Sequence, residues 1–456
     1  MQLISDDVLI DTGQIDPIHL AAYPLIGGFQ LGNPASWTGG HPWQFYRQLR
    51  EDAPVHWTPG YRGISGFWSV SRYEDVKSVE LNPQLFSSQR GSINLGIQAR
   101  DKWKPKKLIP AALNSLINMD APLHMEARIQ QKDFFIPAYV AKVRDKVSAH
   151  IDGLLDEMER KGPEVDFVKM FAEQVPLFTL CEMLGVDEAD RPRIVQWMHY
   201  LEMASQYLAN PWQTILKEPL FPFRFFNMVD AMFAYGEGVM ADRRARPRED
   251  LLTAIARSKL GGEELPQEHL DGAWLLIIFA GNDTSRNSLT GTIQLLHEFS
   301  DQRQMVLDEP KLIPRMAEEA LRLVSPVKHM RRTALEETEL NGQRIAKDEK
   351  VVMWYGAANR DPTMFPDPDR FDMMRDNYDK HLAFGHGVHK CLGSRIAQMQ
   401  LRLSFEKILE RFPKIAPVGP VVYAPNALVN AMSSLKVNLY GVGGQRPTMV
   451  AARKAS

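Results

Sequence analysis

Residues 384–393 have the sequence FGHGVHKCLG, and this stretch decides what the rest of the chain can be. It places Cys391 after a glycine-rich segment and directly before an apolar pattern with steps of three and four residues, which predicts a helix. Near a helix N-terminus, unpaired N–H groups and the helix dipole favour an anion. The Cys391 thiol is therefore expected to have a lowered pKa and to be a good thiolate ligand. Gly385 and Gly387 carry no Cβ, so the backbone can turn tightly there and approach a flat ligand closely.

The stretch fits the pattern Phe-x-x-Gly-x-x-x-Cys-x-Gly and resembles the heme-binding loop of the cytochrome P-450 monooxygenases. A lone cysteine is more often an inert core thiol, but the ten-residue pattern is far more specific. The resemblance implies that Cys391 is the axial ligand of the iron of heme b. It also implies that Phe384, Gly385 and Ala280 contribute to the cofactor site. The implied fold is mainly α with a small β region, a triangular helical prism with heme between a long central helix and the cysteine-loop helix.

The composition of the chain is that of an ordinary soluble globular protein, with 456 residues, 44% of them hydrophobic and 24% charged. The net charge of −2 implies no strong attraction to nucleic acid or to membranes. Only two cysteines, Cys181 and Cys391, are present and they lie far apart, which suits a reducing cytoplasm. The N-terminal sequence MQLISDDVLIDTGQIDP carries early acids and no long apolar run, so we expect neither a signal peptide nor a membrane anchor. Soluble members of the resembled family are typically bacterial.

The chain shows neither an internal repeat nor a low-complexity linker, so we expect one domain over residues 1–456. Residues 1–40 are predicted to be irregular, and residues 442–456 are predicted to form a loose tail. Apolar periodicity predicts further helices, and short apolar runs predict strands. The predicted helices are 42–52, 73–81, 138–161, 166–184, 189–206, 223–245 and 267–298, and the predicted strands are 67–70 and a pair within 338–352 that turns at Asn341-Gly342.

Residues 207–226 contain three prolines and many aromatic residues, so they cannot form one straight helix. An apolar, proline-broken connection can be a lid over an apolar pocket or can be packed in the core. The sequence alone leaves both interpretations open, and the resemblance favours the lid.

The predicted helix 267–298 is the longest in the chain and contains AGNDTS at residues 280–285. A glycine in the middle of a helix costs about 1 kcal/mol relative to alanine, and Thr284 can donate its hydroxyl hydrogen to a carbonyl one turn earlier. Together these residues predict a widened or kinked turn. The segment resembles the acid–alcohol pair of the same family, in which Asp283 and Thr284 would deliver protons and Ala280 would leave room beside the heme.

Glu319 and Arg322 are three residues apart and can pair on one helix face. If they lay on the surface, the ion pair would contribute little. They resemble the family's Glu-x-x-Arg motif, which pairs with an arginine in a later loop. The resemblance identifies that partner as Arg370 and gives all three residues a structural role in supporting the cysteine loop.

The two heme propionates require cations or hydrogen-bond donors, and arginine matches a carboxylate in a bidentate manner. By resemblance, the residues that would bind the propionates are His124, Arg128, Arg332 and His389. Arg331 is the less favoured alternative to Arg332. Each of these residues could otherwise be an ordinary surface residue.

The substrate pocket is expected to be formed by residues on the long helix, on the segment after Pro326 and in a late loop. For each of them, simple core packing remains an open alternative. Because most are apolar, a hydrophobic substrate is expected. The candidate pocket residues are Leu276, Phe279, Ala280, Val327, His329 and Val429.

A monooxygenase of this type needs two electrons and dioxygen. The sequence contains no flavin or nicotinamide fingerprint after a predicted strand and no cysteine cluster for an iron–sulfur site. We therefore expect the electrons to come from a separate ferredoxin and ferredoxin reductase. Lys390 and Arg395 flank the cysteine and could form a basic docking face.

Several longer strings are most similar to bacterial alkane and fatty-acid terminal hydroxylases, including GNDTSRNS at residues 281–288 and HMRRTA at residues 329–334. The resemblance implies hydroxylation of an unactivated C–H bond in an alkane, fatty acid or terpenoid. A steroid or terpene side-chain hydroxylase of the same family is an alternative. A peroxide-dependent heme enzyme and a non-enzymatic heme protein that binds a gas are alternatives from other classes.

Overall fold

The computed structural model describes residues 31, 36–37, 39–60, 65–93 and 106–445, and most of this part of the chain is helical. Most of the predicted irregular segment and most of the predicted tail lie outside the described residues. The α-helices are α1 (Trp43–Asp52), α2 (Tyr73–Leu81), α3 (Leu108–Leu113), α4 (Leu123–Gln131), α5 (Pro137–Lys161), α6 (Gln174–Leu184), α7 (Arg191–Ala209), α8 (Pro211–Lys217), α9 (Phe221–Ala245), α10 (Leu251–Ala256), α11 (Gln267–Glu298), α12 (Ser300–Asp308), α13 (Ile313–Val324), α14 (Tyr355–Ala358) and α15 (Ser394–Arg411).

The strands are short and lie in small sheets. They are β1 (Val55–Thr58), β2 (Phe67–Val70), β3 (Phe86–Ser87), β4 (Glu164–Asp166), β5 (Lys259–Leu260), β6 (Glu263–Glu264), β7 (His329–Ala334), β8 (Thr338–Leu340), β9 (Gln343–Ile345), β10 (Lys350–Trp354), β11 (Ala416–Pro417), β12 (Val422–Tyr423), β13 (Met432–Ser434) and β14 (Lys436–Asn438). The largest described sheet has the order β1-β2-β10-β7-β3. In it, β10 runs parallel to β2 and antiparallel to β7. The predicted hairpin at Asn341-Gly342 is confirmed as the pair β8 and β9.

Helix α11 forms the centre of the helical part of the fold. It contacts α3, α6, α9, α13 and α15, and most of its residues are buried. Its bounds coincide with the predicted helix, because the apolar period runs through the whole segment without a proline. No helix within the described ranges is long and apolar enough to cross a membrane.

The proline-rich connection forms three helices separated by short breaks, as the prolines predicted. Pro211 and Pro222 lie in the first turns of α8 and α9, where a missing N–H costs little. Trp212, Leu216 and Phe223 are strongly exposed, whereas Phe221 is buried against neighbouring aromatic rings. Part of the connection therefore packs in the core, while Trp212, Leu216 and Phe223 lie on the outside of the fold.

A buried ion-pair cluster joins α13 to the segment that precedes the cysteine loop. Arg322 donates two hydrogen bonds to Glu319, at 2.7 and 2.8 Å, and both side chains are fully buried. The third member is Arg375, whose Nε lies 3.3 Å from Glu319 Oε1 and whose side chain is 6% exposed. The prediction that Arg370 completes the cluster is wrong. The Arg370 side chain is 47% exposed and pairs with Asp301, and only its backbone carbonyl faces the cluster.

The two arginines differ in their expected contribution to stability. We expect Arg375→Ala to lower the free energy of unfolding by roughly 3–5 kcal/mol, because it removes one partner from a buried charged cluster. We expect Arg370→Ala to lower it by less than about 1 kcal/mol, because the Arg370 pair is exposed to solvent. Denaturant-induced unfolding of both variants measures the difference, and equal losses would contradict the assignment.

A second buried cation, Lys328, lies next to the sheet. Its Nζ donates to the backbone oxygen of Asn426 at 2.7 Å and lies 4.6 Å from the centroid of the Trp37 ring. No carboxylate pairs with it among the described residues. Burial lowers the pKa of Lys328 from 10.5 to about 7. The charged form therefore destabilises the fold at neutral and acidic pH.

Replacing Lys328 with methionine should have an effect on stability that depends on pH. Below about pH 7 the lysine is charged in both the folded and the unfolded protein, so the cost of burying the charge is fully present. As the pH rises towards about 10, only the unfolded protein still binds the proton, and this cost disappears. We expect Lys328→Met to raise the free energy of unfolding by roughly 1–3 kcal/mol near pH 6, after allowing for the lost hydrogen bond, and we expect this gain to disappear near pH 10.

The matched control for this substitution is Lys347→Met, which makes the same change at an exposed position. Its effect should be small at both pH values. A gain for Lys328→Met that is the same at pH 6 and pH 10 would show that the lysine charge has no role in stability.

Candidate active site

The cysteine loop is closed by a backbone hydrogen bond from the N–H of Cys391 to the oxygen of Phe384, at 2.8 Å. Gly385 and Gly387 have φ values of +67° and +64°, in the left-handed region that favours glycine. A Cβ on Gly387 would lie 2.5 Å from the backbone oxygen of Glu80, and one on Gly385 would lie 3.2 Å from Glu80 Oε1. The loop therefore turns at these glycines because the C-terminal end of α2 packs directly against it.

The Cys391 side chain is exposed, but its thiol does not have the lowered pKa that the sequence predicts. Enough protein surrounds the sulfur that desolvation raises the pKa, although a hydrogen bond from Gly393 and the charges of Arg128 and Lys390 act in the opposite direction. The expectation was wrong for the chain by itself because desolvation of the sulfur outweighs the nearby N–H group and cations. A metal cation bound at the sulfur would supply the charge that stabilises the thiolate.

Four predicted propionate ligands from three separate parts of the chain meet beside the loop. The rings of His124 and His389 have centroids 4.1 Å apart. Burial, followed by the charge of Arg332, lowers the pKa of His389 to about 2, and burial, followed by the charge of Arg128, lowers the pKa of His124 to about 4. Arg331 instead donates to the backbone oxygen of Arg90. The cluster concentrates positive charge and hydrogen-bond donors in the way that two carboxylates require.

One strip of α11 is open although the helix is otherwise buried. Ala280 is exposed, and Leu276 and Thr284 are partly exposed. Because α11 lies inside the fold and contacts other helices along its length, we infer that the strip lines an internal space. The Thr284 hydroxyl donates to the backbone oxygen of Ala280 at 3.1 Å, as predicted. The expected widening does not interrupt the helix, which is continuous from Gln267 to Glu298.

Asp283 lies beside a buried arginine that the sequence analysis did not single out. Arg286 is 3.4 Å from Asp283 and also lies 3.1 Å from Glu173 and 3.2 Å from Glu202. Burial raises the pKa of Asp283, with Arg286 opposing this rise and the two glutamates adding to it. The spacing of three residues between Asp283 and Arg286 was a signal for their pairing, whereas nothing in the sequence indicated that α7 would bring Glu202 to them.

Three of the candidate pocket residues share one apolar cluster. Val327 and Val429 pair through an isolated β-bridge, and Phe279 packs against the same cluster together with Ile93. Because the cluster includes Phe279 of α11, it forms an apolar wall beside the helix that carries the open strip. Ile93 was not predicted, since it lies in a segment that has little regular pattern.

The His329 ring contacts the aromatic core. It packs against Trp354, with centroids 5.0 Å apart, and its Nδ1 lies 3.1 Å from the backbone oxygen of Ala427. The side chain is buried, and desolvation lowers its pKa to about 4. The structure therefore supports the alternative of core packing for His329, because the strand β7 directs it towards the aromatic core.

The residues present fit heme b. Cys391 would bind the iron, and His124, Arg128, Arg332 and His389 would hold the propionates. Ala280 leaves room on α11, while Phe384 is partly buried at the start of the loop. Each member of this set was predicted from the sequence, and the structure adds Glu80, whose buried carboxylate supports the glycine turn.

Comparison with known proteins agrees with this geometry. The family model of cytochrome P450 matches residues 23–418. Linalool 8-monooxygenase of Pseudomonas putida is 32% identical over 410 residues, which cover 90% of this chain and 98% of that protein. A methyl-branched lipid omega-hydroxylase of Mycobacterium tuberculosis is 29% identical over 402 residues, which cover 86% of this chain and 90% of that protein.

The fold is also similar to solved structures of this family. A Mycobacterium marinum cytochrome P450 in complex with pseudoionone has a TM-score of 0.81 and 30% sequence identity, covering 91% of this chain and 99% of that chain. The chain is mostly helical with small sheets and matches this structure over most of its length, so the predicted fold class is confirmed. The chain belongs to the cytochrome P450 family and is a monooxygenase that binds heme b.

Proposed function

We propose that this enzyme hydroxylates an unactivated C–H bond of a small hydrophobic substrate, an alkane, a fatty acid or a terpenoid. The reaction consumes dioxygen, two electrons and two protons, and it yields an alcohol and one water molecule. The observation that carries the proposal is the apolar wall of Phe279, Val327 and Val429 beside the open strip of α11. The substrates in the names of the relatives, linalool and a methyl-branched lipid, are both hydrophobic, and this supports the proposal.

In this proposal the wall excludes water and orients the substrate. When heme is bound, it would supply dioxygen binding and the transfer of an oxygen atom to the C–H bond. A substrate that packs on aliphatic and aromatic side chains gains free energy by burying apolar surface, of about 25 cal/mol for each Å² buried. Polar groups on the substrate would lose hydrogen bonds to water there, so the site favours chains and terpenoids over charged molecules.

The protons are assigned to Asp283 and Thr284. Burial raises the pKa of Asp283, so its carboxyl group holds a proton at higher pH than an exposed aspartate would and can take part in proton transfer. Thr284 is the next residue in the chain. It lies on the open strip and carries a hydroxyl that can pass a proton to the reacting oxygen. In the structure this hydroxyl donates to Ala280, and it can reorient without disturbing the helix, because the backbone hydrogen bonds do not depend on it.

The electrons are proposed to come from a ferredoxin that is reduced by a ferredoxin reductase. Lys390 and Arg395 are exposed on both sides of Cys391, so they form a basic face close to the cofactor. An acidic ferredoxin would be attracted to this face and would approach the heme on the cysteine side.

The proposed function is tested by a substrate screen followed by turnover. Alkanes, fatty acids, terpenes and steroids are added to the purified enzyme, and binding is measured from the change in the heme spectrum. We expect alkanes, fatty acids or terpenoids to cause the largest change, and we expect an alcohol product when NAD(P)H, a ferredoxin and its reductase are present.

Three results would contradict parts of the proposal. Selective binding of steroids would favour a steroid side-chain hydroxylase. Turnover with NAD(P)H and without added redox proteins would exclude the ferredoxin. Product formation with peroxide but never with dioxygen and redox proteins would show a peroxide-dependent enzyme.

The role of Thr284 is tested by Thr284→Ala. We expect heme to remain bound and NAD(P)H to be consumed, while the fraction of electrons recovered in product falls severalfold and peroxide rises. The physical reason is that the substitution removes the hydroxyl that would hand over a proton and leaves the helix backbone intact. Product and peroxide are measured per NAD(P)H consumed.

The matched control is Thr290→Ala on the same helix. The Thr290 hydroxyl donates to the backbone oxygen of Arg286 at 2.8 Å, in the same type of bond, but its side chain is fully buried away from the open strip. This variant should keep the coupling of the parent enzyme. Unchanged coupling in Thr284→Ala, or an equal loss in both variants, would remove the role given to Thr284.

A further inference from the structure

A buried carboxylate that the reaction does not use lies beneath the cysteine loop. Glu80 is only 4% exposed although it lies next to the last residue of a short helix, α2. Its Oε1 lies 3.2 Å from the position that a Cβ on Gly385 would take, and its backbone oxygen lies 2.5 Å from the position of a Cβ on Gly387. The backbone and the side chain of Glu80 therefore both contact the glycine turn.

The carboxylate is held in place by Tyr355, the first residue of α14. The Tyr355 hydroxyl donates to Glu80 Oε1 at 2.6 Å, a length typical of an O–H group that donates to an ionised carboxylate. Both groups are buried, and the other carboxylate oxygen of Glu80 makes no hydrogen bond to a described side chain. Burying a carboxylate with one short hydrogen bond costs free energy, so its presence at this position calls for a physical role.

Arg332 supplies the opposite charge. The groups that face Glu80 are Arg332 from β7, Tyr355 from α14, the backbone N–H of His386 from the loop, and Tyr73 from its own helix. Arg332 is the only cation among them within the described residues. Arg332 also belongs to the cluster that would hold a heme propionate. Glu80 and a bound propionate would therefore both interact with the same guanidinium.

We propose that Glu80 is a positioning residue that acts through Arg332 and the glycine turn, and that its charge sets the reduction potential of the heme. A negative charge beside the glycine turn and Arg332 would offset part of the positive charge around a bound heme, stabilise the oxidised iron, which carries the larger positive charge, and so lower the potential. This inference rests on the heme and on membership of the family, and it depends neither on the substrate nor on the electron donor.

The charge of Glu80 is expected to change near neutral pH. Burial raises the pKa of Glu80 to about 7, with Arg332, Tyr355 and the N–H of His386 acting against this rise. Glu80 therefore ionises as the pH rises through about 7. The potential of the parent protein should fall over the same interval.

The experiment measures the heme reduction potential of the holoenzyme at several pH values between about 6 and 8, for the parent and for Glu80→Gln. The glutamine keeps the size of the side chain and can still accept a hydrogen bond from Tyr355, but it carries no charge. We expect the two potentials to agree near pH 6 and the variant to be more positive near pH 8. A purely structural role would change heme retention or stability without producing this dependence on pH.

The matched control is Glu74→Gln, which removes a charge from the same helix at a side chain that is 72% exposed. Its potential should follow that of the parent at every pH, because solvent screens the charge. If Glu80→Gln also follows the parent over the whole range, or if both variants shift equally, the proposal is overturned.

A second variant keeps the test decisive if Glu80→Gln fails to fold or loses thiolate ligation in its reduced carbon monoxide complex. Tyr355→Phe leaves the Glu80 carboxylate in place but removes the hydroxyl that stabilises its ionised form. We expect the fall in potential to move to higher pH in this variant. A fall at the same pH as in the parent would overturn the proposal.

Discussion

The close contact between the end of α2 and the glycine turn of the cysteine loop is the constraint on which the rest of the active site depends. The turn cannot accept a Cβ at Gly387, because the backbone oxygen of Glu80 already lies 2.5 Å from that position. With the turn fixed, the bond between the N–H of Cys391 and the oxygen of Phe384 closes the loop. Backbone packing therefore fixes the path of the loop that carries Cys391.

Buried charged side chains connect segments of the fold that are distant in sequence. Glu319, Arg322 and Arg375 connect α13 to the chain that precedes the loop, and Arg286 connects α11 to α7 and to the segment before α6. Each of these groups would be costly alone in the interior, so each holds its partners in one arrangement. The charges therefore specify where the segments lie more than they add to overall stability.

The sequence predicted best those features that a short stretch of chain determines. The bounds of α11 follow from a long apolar period, and the turn at the cysteine follows from two glycines close together. Features that depend on how distant segments meet were missed or misassigned. Arg375 rather than Arg370 reaches Glu319, because the loop between them turns one side chain inward and leaves the other in solvent.

A similar limit applies to the direction of side chains and to the pKa of the thiol. Residues on a strand alternate between two faces, and the pairing of β7 with β10 places His329 opposite Trp354, which no local pattern reveals. The pKa of Cys391 depends on how much protein surrounds the sulfur, and this outweighs the nearby N–H group and cations. A bound metal cation would act in the opposite direction and favour the thiolate.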